Sequence, residues 1–537
     1  MKKLKITLTL LAFLFCKANL SAIDSEWSKR YDGGMNDRGL HVTTEAGLEY
    51  LAGVSVFAGG SKIVTSTYDE DGTLMALNVA NTFLSNANVK QIERDDAQSI
   101  YVLCENSPSS FTLIKYNSVA KEKWRKNYSN FVVKFAIANG SGLYISYLTS
   151  AGVSVRKLNR GNGNTDWTRN IADVNLLSNS ANADMSLDIN DNIYFGGTTT
   201  TSGSNYDYRI VKIKKNNTVL YNIRYSTAGF RDEVVYKIVA NAAGQLFVVG
   251  DYDNYIPVRT DFHVVKFSSV GAFLWATSYE SSGGPSGFSP VDVQIGPDGN
   301  VVTVGNDIDF YNINPSGEVQ RVKVSKFNSA TGATIFSVFP NAPDGDEDDL
   351  KEVAVCMTID INNNIYFGGN SNVYAGISVP RNRYMIAKAS GVDGDLQWVD
   401  ASVGGDDDPA NIVNDITVTT GEDVYVASSW DLGATVDMQI SKYCQVGCFG
   451  LRTKKETISS IDVKVYPNPS SSSFTIHTNG NDKAIQVKVF DLEGKLIEAR
   501  TETENEFTIG SDFSAGIYIL NLQNEHLNET IRMIKTE

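Results

Sequence analysis

The sequence predicts an all-β protein: a β-propeller of eight blades, or seven if a degenerate copy merges, followed by a small Ig-like β-sandwich. Three observations carry this expectation. A short strand pattern recurs over positions 27–443 at intervals of 43 to 64 residues. The array lacks a strand at its end and carries a spare one at its start. Beyond it, about 75 residues form a separate set of alternating strands.

The N-terminus comes first. Lys2, Lys3 and Lys5 precede an apolar run from Ile6 to Phe15, and Leu20-Ser21-Ala22 then offers a cleavage site after Ala22. This is the build of a secretory signal peptide over 1–22. The run is too short to span a bilayer, which takes about 20 apolar residues. Cys16 would suit a lipoprotein, but Phe15 stands where a small residue precedes a lipidated Cys. No other stretch reaches membrane-spanning length, so the sequence offers no transmembrane segment.

Residues 23–448 are the repeat region. Apolar and aromatic residues make up 42% of the chain, enough for a packed core, and Tyr (25) and Phe (24) suit half-buried pleated surfaces. Forty-four glycines against 12 prolines indicate many tight turns. One strand of the unit reads NIYFGG (192–197 and 364–369), QLFVVG (245–250), NVVTVG (300–305) and DVYVAS (423–428), with weaker copies SIYVLC, GLYISY and LEYLAG. A second column fixes the register: Lys115, Lys157, Lys212, Lys266, Lys326, Lys388 and Lys442. Nine or ten residues after six of these stands an aromatic: Trp124, Trp167, Tyr221, Trp275, Phe336 and Trp398. Turn sequences such as SSVG and GVDG lie between, so Lys and aromatic face each other across a hairpin. Ser66 and Ala76 occupy these columns in the degenerate first copy.

No aromatic follows Lys442, whereas Trp27 precedes the first copy in a segment like WATSYESSGG (275–284). In a closed ring the spare strand would complete the last unit, which favours a propeller over an open solenoid. A unit of about 50 residues cannot bury both faces of its sheet alone and must stack on neighbours. Radial stacking leaves only short sheet edges.

The combined pattern, W-x-x-x-Y-x-x-G-G, then G-N-x-Y-V-x-G, then K and G-x-x-x-W, resembles the bacterial β-propeller repeat family (SBBP-like repeats). That resemblance implies a fold and no particular reaction.

Residues 449–460, FGLRTKKETISS, form a polar linker, and 461–537 a compact β-sandwich. Within it, Tyr466-Pro467-Asn468-Pro469, Asp491 with Gly494 and Lys495, Gly516 with Tyr518, and the basic terminus at Arg532 and Lys535 resemble the type A sorting domain of type IX secretion in Bacteroidetes. The resemblance implies the type IX secretion machinery as a partner, with passage through the periplasm to the outer cell surface or medium.

A net charge of −15 argues against nucleic acid, since no basic stripe is present to neutralise phosphates. Chemistry is sparse. The body holds two histidines, His41 and His263, and no H-E-x-x-H, phosphate loop or nucleophile elbow. DINDN (188–192) and DINNN (360–364) place oxygens at alternate positions as calcium loops do, but Asn and Asp also favour such turns. Asp344, Asp346, Asp348 and Asp349, with Glu347, are denser and are the candidate calcium ligands; Asp406 to Asp408 are similar. Cys444 and Cys448 are spaced to allow a local disulfide. No cofactor other than calcium is expected. The expectation is an exported propeller binding an unidentified extracellular protein or glycan; a polysaccharide-acting hydrolase and an adhesin-like spacer are the alternatives.

Overall fold

A computed structural model gives the fold. It describes residues 25–443 and 462–536, except 34–35, 46, 58–59, 81–87, 108, 139–141, 174–175, 177–182, 201–205, 228–231, 256–257, 280–285, 315–316, 341–349, 374–380, 401–411, 432–434, 480–483, 492–494 and 525–527. The described residues are built from antiparallel strands joined by tight turns. They fall into eight consecutive four-stranded units, at 37–79, 88–128, 132–172, 183–225, 233–279, 286–338, 350–400 and 412–443. The eighth unit takes its fourth strand from the start of the chain. Units six and seven are joined by one parallel bridge, Gln320 to Lys351.

The first strands of the units touch in cyclic order, and that of unit eight packs against that of unit one. They form a closed inner ring. The fold is therefore a β-propeller, and Trp27–Tyr31 closes it by pairing all five of its residues with the third strand of unit eight. Trp27 lies opposite Lys442, in the position held by Trp124 opposite Lys115, Trp275 opposite Lys266 and Trp398 opposite Lys388. In the first unit the equivalent pair is Thr67 and Ala76, so the column falls one residue beyond Ser66. The bulge between Thr67 and Tyr68 is the one that follows the lysine column in units two to seven, as between Lys115 and Tyr116.

The two sequence columns have one physical cause. Lys115 Nζ and Trp124 Nε1 both donate to the Arg160 carbonyl in the following unit, at 3.1 and 3.0 Å. Lys266 and Trp275 share the Ser329 carbonyl at 2.7 and 3.1 Å, and Lys442 and Trp27 share that of Glu70 at 3.3 and 3.0 Å. Each carbonyl lies in the turn before the next unit's fourth strand. A glycine follows in that turn with positive φ, and the aromatic ring lies against it: a Cβ on Gly332 would meet Trp275 at 2.6 Å. The buried ammonium is further held over an aromatic face on the second strand, 4.9 Å from the Tyr101 centroid for Lys115 and 4.7 Å from Tyr194 for Lys212. A lysine can be buried here because its charge meets a carbonyl and a π-face while its stem covers apolar surface.

Apolar residues of the first three strands fill the spaces between units, as Tyr194, Ile210, Val235 and Val248 do between units four and five. The C-terminal β domain is separate in chain order. Its sheets, of three and four strands, enclose Phe474, Ile476, Val487, Leu520, Leu522 and Met533.

Candidate functional site

The inner ring builds the site. In seven units the first strand slips by one residue against the second, and the residue at which pairing resumes is polar or ionisable. These residues are His41, Gln91, Lys134, Lys237, Asp292, Cys356 and Asp415; Asp184 takes the same place in unit four. Eight equivalent positions on eight neighbouring strands make one belt around the axis.

Part of the belt is a fastening between units. Asp184 Oδ2 accepts the Ile238 amide at 3.0 Å, and Asp415 Oδ2 accepts the Val42 amide at 3.1 Å. Gln91 bonds both the amide and the carbonyl of Phe135, at 3.1 and 2.9 Å. Each ties its strand to the next one round. Two of the remaining groups are paired by charge. Lys134 Nζ lies 3.1 Å from Asp184 Oδ1, and His41 Nδ1 lies 2.8 Å from Asp415 Oδ2.

These contacts set the protonation states. Burial alone would lower Lys134, but the Asp184 carboxylate outweighs it and raises the ammonium above its ordinary value. Asp184 is lowered: burial raises it, and Lys134 and Lys237 overcome that. Asp292 is raised by burial, with the Gln294 side chain opposing. Burial drives the Cys356 thiol well up, so it is a poor nucleophile. His41 is pulled down by burial and pushed further up by its bond to Asp415, ending above the ordinary imidazole value.

A pH dependence follows. A group whose pKa is raised on folding stabilises the fold fully below its unfolded pKa, about 6.5 for His, and loses that contribution as pH rises through the folded value. His41 and Asp415 join units one and eight. The melting temperature of His41→Gln should therefore approach that of the parent as pH rises from 6 to 8. Parallel curves for the two proteins would refute the coupling.

Beside the belt, a cavity of about 380 Å³ opens between the inner strands of units two, three and four, lined among others by Gln91, Glu93, Arg94, Lys134 and Ser186. The belt and cavity offer donors and acceptors side by side.

The belt was accessible to counting. Seven of its members stand thirteen residues before the last position of the NIYFGG-type pattern, as Gln91 does before Cys104 and Asp415 before Ser428. His263 is a different case. It is buried on the third strand of unit five, between Tyr208 and Tyr225, and not on the axis.

Of the carboxylate turns, Asp188 and Asp360 bind their own loops. Asp188 accepts the Asn190 and Asn192 amides and the Tyr194 hydroxyl, all at 2.9 Å, and Asp360 accepts from Asn362, Asn364 and Tyr366 in the same way. These are turn supports. Asp344, Asp346, Asp348, Asp349, Cys444, Cys448, Gly494 and Ala22 lie outside the described residues. Cys104 and Cys356 are free thiols.

The C-terminal motif residues converge on the last strand, Asn528–Lys535. Asn468 donates to the Arg532 carbonyl at 2.6 Å and accepts the Ile534 amide at 2.8 Å. Lys535 Nζ donates to the Gly510 carbonyl at 2.7 Å. Asp491 Oδ1 accepts the Lys495 amide at 2.9 Å, and the Tyr518 hydroxyl donates to the Ser514 carbonyl at 2.9 Å. Tyr466, Pro467, Pro469 and Gly516 stand exposed around this framework. Among the described residues no helix is long and apolar enough to cross a membrane.

Residues 464–536 match the family described as secretion system C-terminal sorting domain. The chain thus carries a sorting domain, which indicates type IX secretion to the cell surface or the extracellular space. In three dimensions the chain is similar to the Dos1 propeller, with a TM-score of 0.50 and 8% identity over 78% of this chain and 94% of that one. It is also similar to Chaetomium thermophilum Sqt1 (TM-score 0.47, 9% identity, 80% and 99% covered) and to the polysaccharide lyase Uly1 (TM-score 0.40, 9% identity, 77% and 91% covered). At these identities the first likeness speaks for the fold alone. No curated protein matches the chain.

Proposed function

We propose that the chain is an exported eight-bladed propeller, built from SBBP-like repeats, that binds a polar extracellular ligand at its axial belt. Its type A sorting domain passes it from the periplasm to the outer surface, where the body is anchored or released. The observation that carries the binding role is the belt itself: eight equivalent positions bring four ionisable groups into two pairs, with Lys237 and Asp292 beside them. A scaffold with no ligand would be served by the amide fastenings of Gln91, Asp184 and Asp415 alone.

The ligand class best suited is a glycan or a peptide segment, since both present alternating donors and acceptors. A glycan and peptide array on the mature protein should find a ligand whose affinity falls at least tenfold in Lys237→Gln and in Asp292→Asn. Both variants should keep the parent melting temperature within a few degrees. Undiminished binding in both would place the ligand elsewhere, and no binding at all would favour the spacer reading.

A hydrolase is the second reading, favoured by one feature. His41 is held by Asp415 in the geometry that fixes a general base, leaving Nε2 unused by that bond. Turnover of an array-identified glycan that disappears in His41→Gln would support it.

A further inference from the structure

Where the ring closes, three carboxylates meet. Asp32 follows the strand Trp27–Tyr31, Asp437 lies on the third strand of unit eight, and Asp37 begins the first strand of unit one. One carboxylate oxygen of each lies within 4.8 Å of the other two. Asp37 and Asp437 are 0% and 4% exposed, whereas Asp32 faces solvent.

A second observation is independent of this convergence. Oδ1 of Asp37 and Oδ1 of Asp437 are each sealed from solvent with no hydrogen-bond partner. The Ser55 hydroxyl lies beside Asp37, across the strand pair, but makes no hydrogen bond of normal geometry to it. Buried carboxylate oxygens without a donor are costly and call for a cation.

Another seam shows what the closing one lacks. Between units four and five, Asp207 and Glu233 hold the places of Asp437 and Asp37. There Arg224 ion-pairs with Asp207, and the Thr227 amide donates to Glu233 at 2.9 Å. At the closing seam the arginine in the place of Arg224 is Arg30. It donates to Gln439 Oε1 at 2.9 Å and lies 4.1 Å over the Trp430 ring. A third carboxylate, Asp32, comes within reach of both at the closing seam.

We propose that Asp32, Asp37 and Asp437 form a calcium site that locks the propeller closed. The donors are all oxygen, which selects a hard cation. Calcium–oxygen distances of about 2.4 Å allow ligand oxygens up to about 4.8 Å apart, whereas the shorter magnesium bonds, about 2.1 Å, draw them closer. Ser55 Oγ and water are at hand to complete the shell. Entry is open on one side: Asp32 lines a cavity of about 360 Å³ shared with Tyr31 and with Arg532 of the sorting domain. Arg532 Nη1 donates to the Gly33 carbonyl at 2.5 Å, so the sorting domain grips the same loop that would carry the ion.

The test uses the full mature chain. Terbium should bind in place of calcium and emit on excitation of tyrosine, with Tyr31 adjacent to the site, and calcium should quench that emission by displacement. Millimolar calcium should raise the melting temperature by about 3 °C or more, as binding to the folded state alone requires. Asp437→Asn should abolish both signals. Asp32→Asn, at an exposed position, should fold normally and weaken calcium binding at least tenfold. A calcium shift that persists in Asp32→Asn and Asp437→Asn would overturn the proposal by placing the ion elsewhere, as in the 344–349 run. So would a parent protein that fails to bind terbium or calcium.

Discussion

Deleting residues 25–31 should lower the melting temperature of the propeller by about 10 °C or more and make the protein prone to self-association. Trp27 sits 6.0 Å from both Tyr68 and Tyr425 and donates to the Glu70 carbonyl. Removing a packed Trp costs about 3–5 kcal/mol, and the lost ladder and the stranded Lys442 add to it. For a domain of this size each kcal/mol moves the midpoint by about 2–4 °C, or somewhat less. The deletion also bares the third strand of unit eight as a long apolar edge. Trp27→Ala should show part of the same loss without the self-association. A deletion variant as stable as the parent by thermal scan would mean that the closing strand contributes nothing to the ring.

Deleting residues 461–537 should leave the body folded but retained in the periplasm. The framework around Asn468 and Lys535 fixes the last strand in place, and a rigid terminal strand is what a translocation machinery could recognise. Fractionation of cells expressing the truncated chain should recover it inside the outer membrane, while the full chain reaches the surface or the medium. Normal display of the truncated chain would sink the sorting role. Asn468→Ala, which removes two hydrogen bonds to that strand, should reduce display without abolishing it.

The repeat was readable because its columns answer to backbone geometry that every unit shares. Lys266, Lys326 and Lys442 are buried charges, and a buried charge is rarely tolerated without a fixed partner, so the column survives in otherwise divergent copies. The pairing of Trp27 with the last unit was readable for the same reason: an aromatic was missing at one end and spare at the other. The belt was harder to see. Its members are His, Gln, Lys, Asp and Cys, with no common type, and a bulge of one residue in the first strand breaks the alternation that would have marked them. The carboxylates of the closing seam lie 400 residues apart in sequence, Asp37 and Asp437, and only ring closure brings them together. DINDN and DINNN show how turn support and calcium ligation draw on the same residue types, and here Asp188 and Asp360 accept from their own turns.

The shared carbonyl between neighbouring units also bears on how such a chain tolerates drift. Lys266 and Trp275 address a main-chain oxygen at Ser329, which every residue type supplies. The neighbour need keep only a turn with glycine or asparagine at its left-handed position, as Gly332 and Asn217 do. No side chain across the interface has to change in step. A unit can thus diverge, or be exchanged for another, without its neighbours adapting, and copies only loosely alike still fit round one axis.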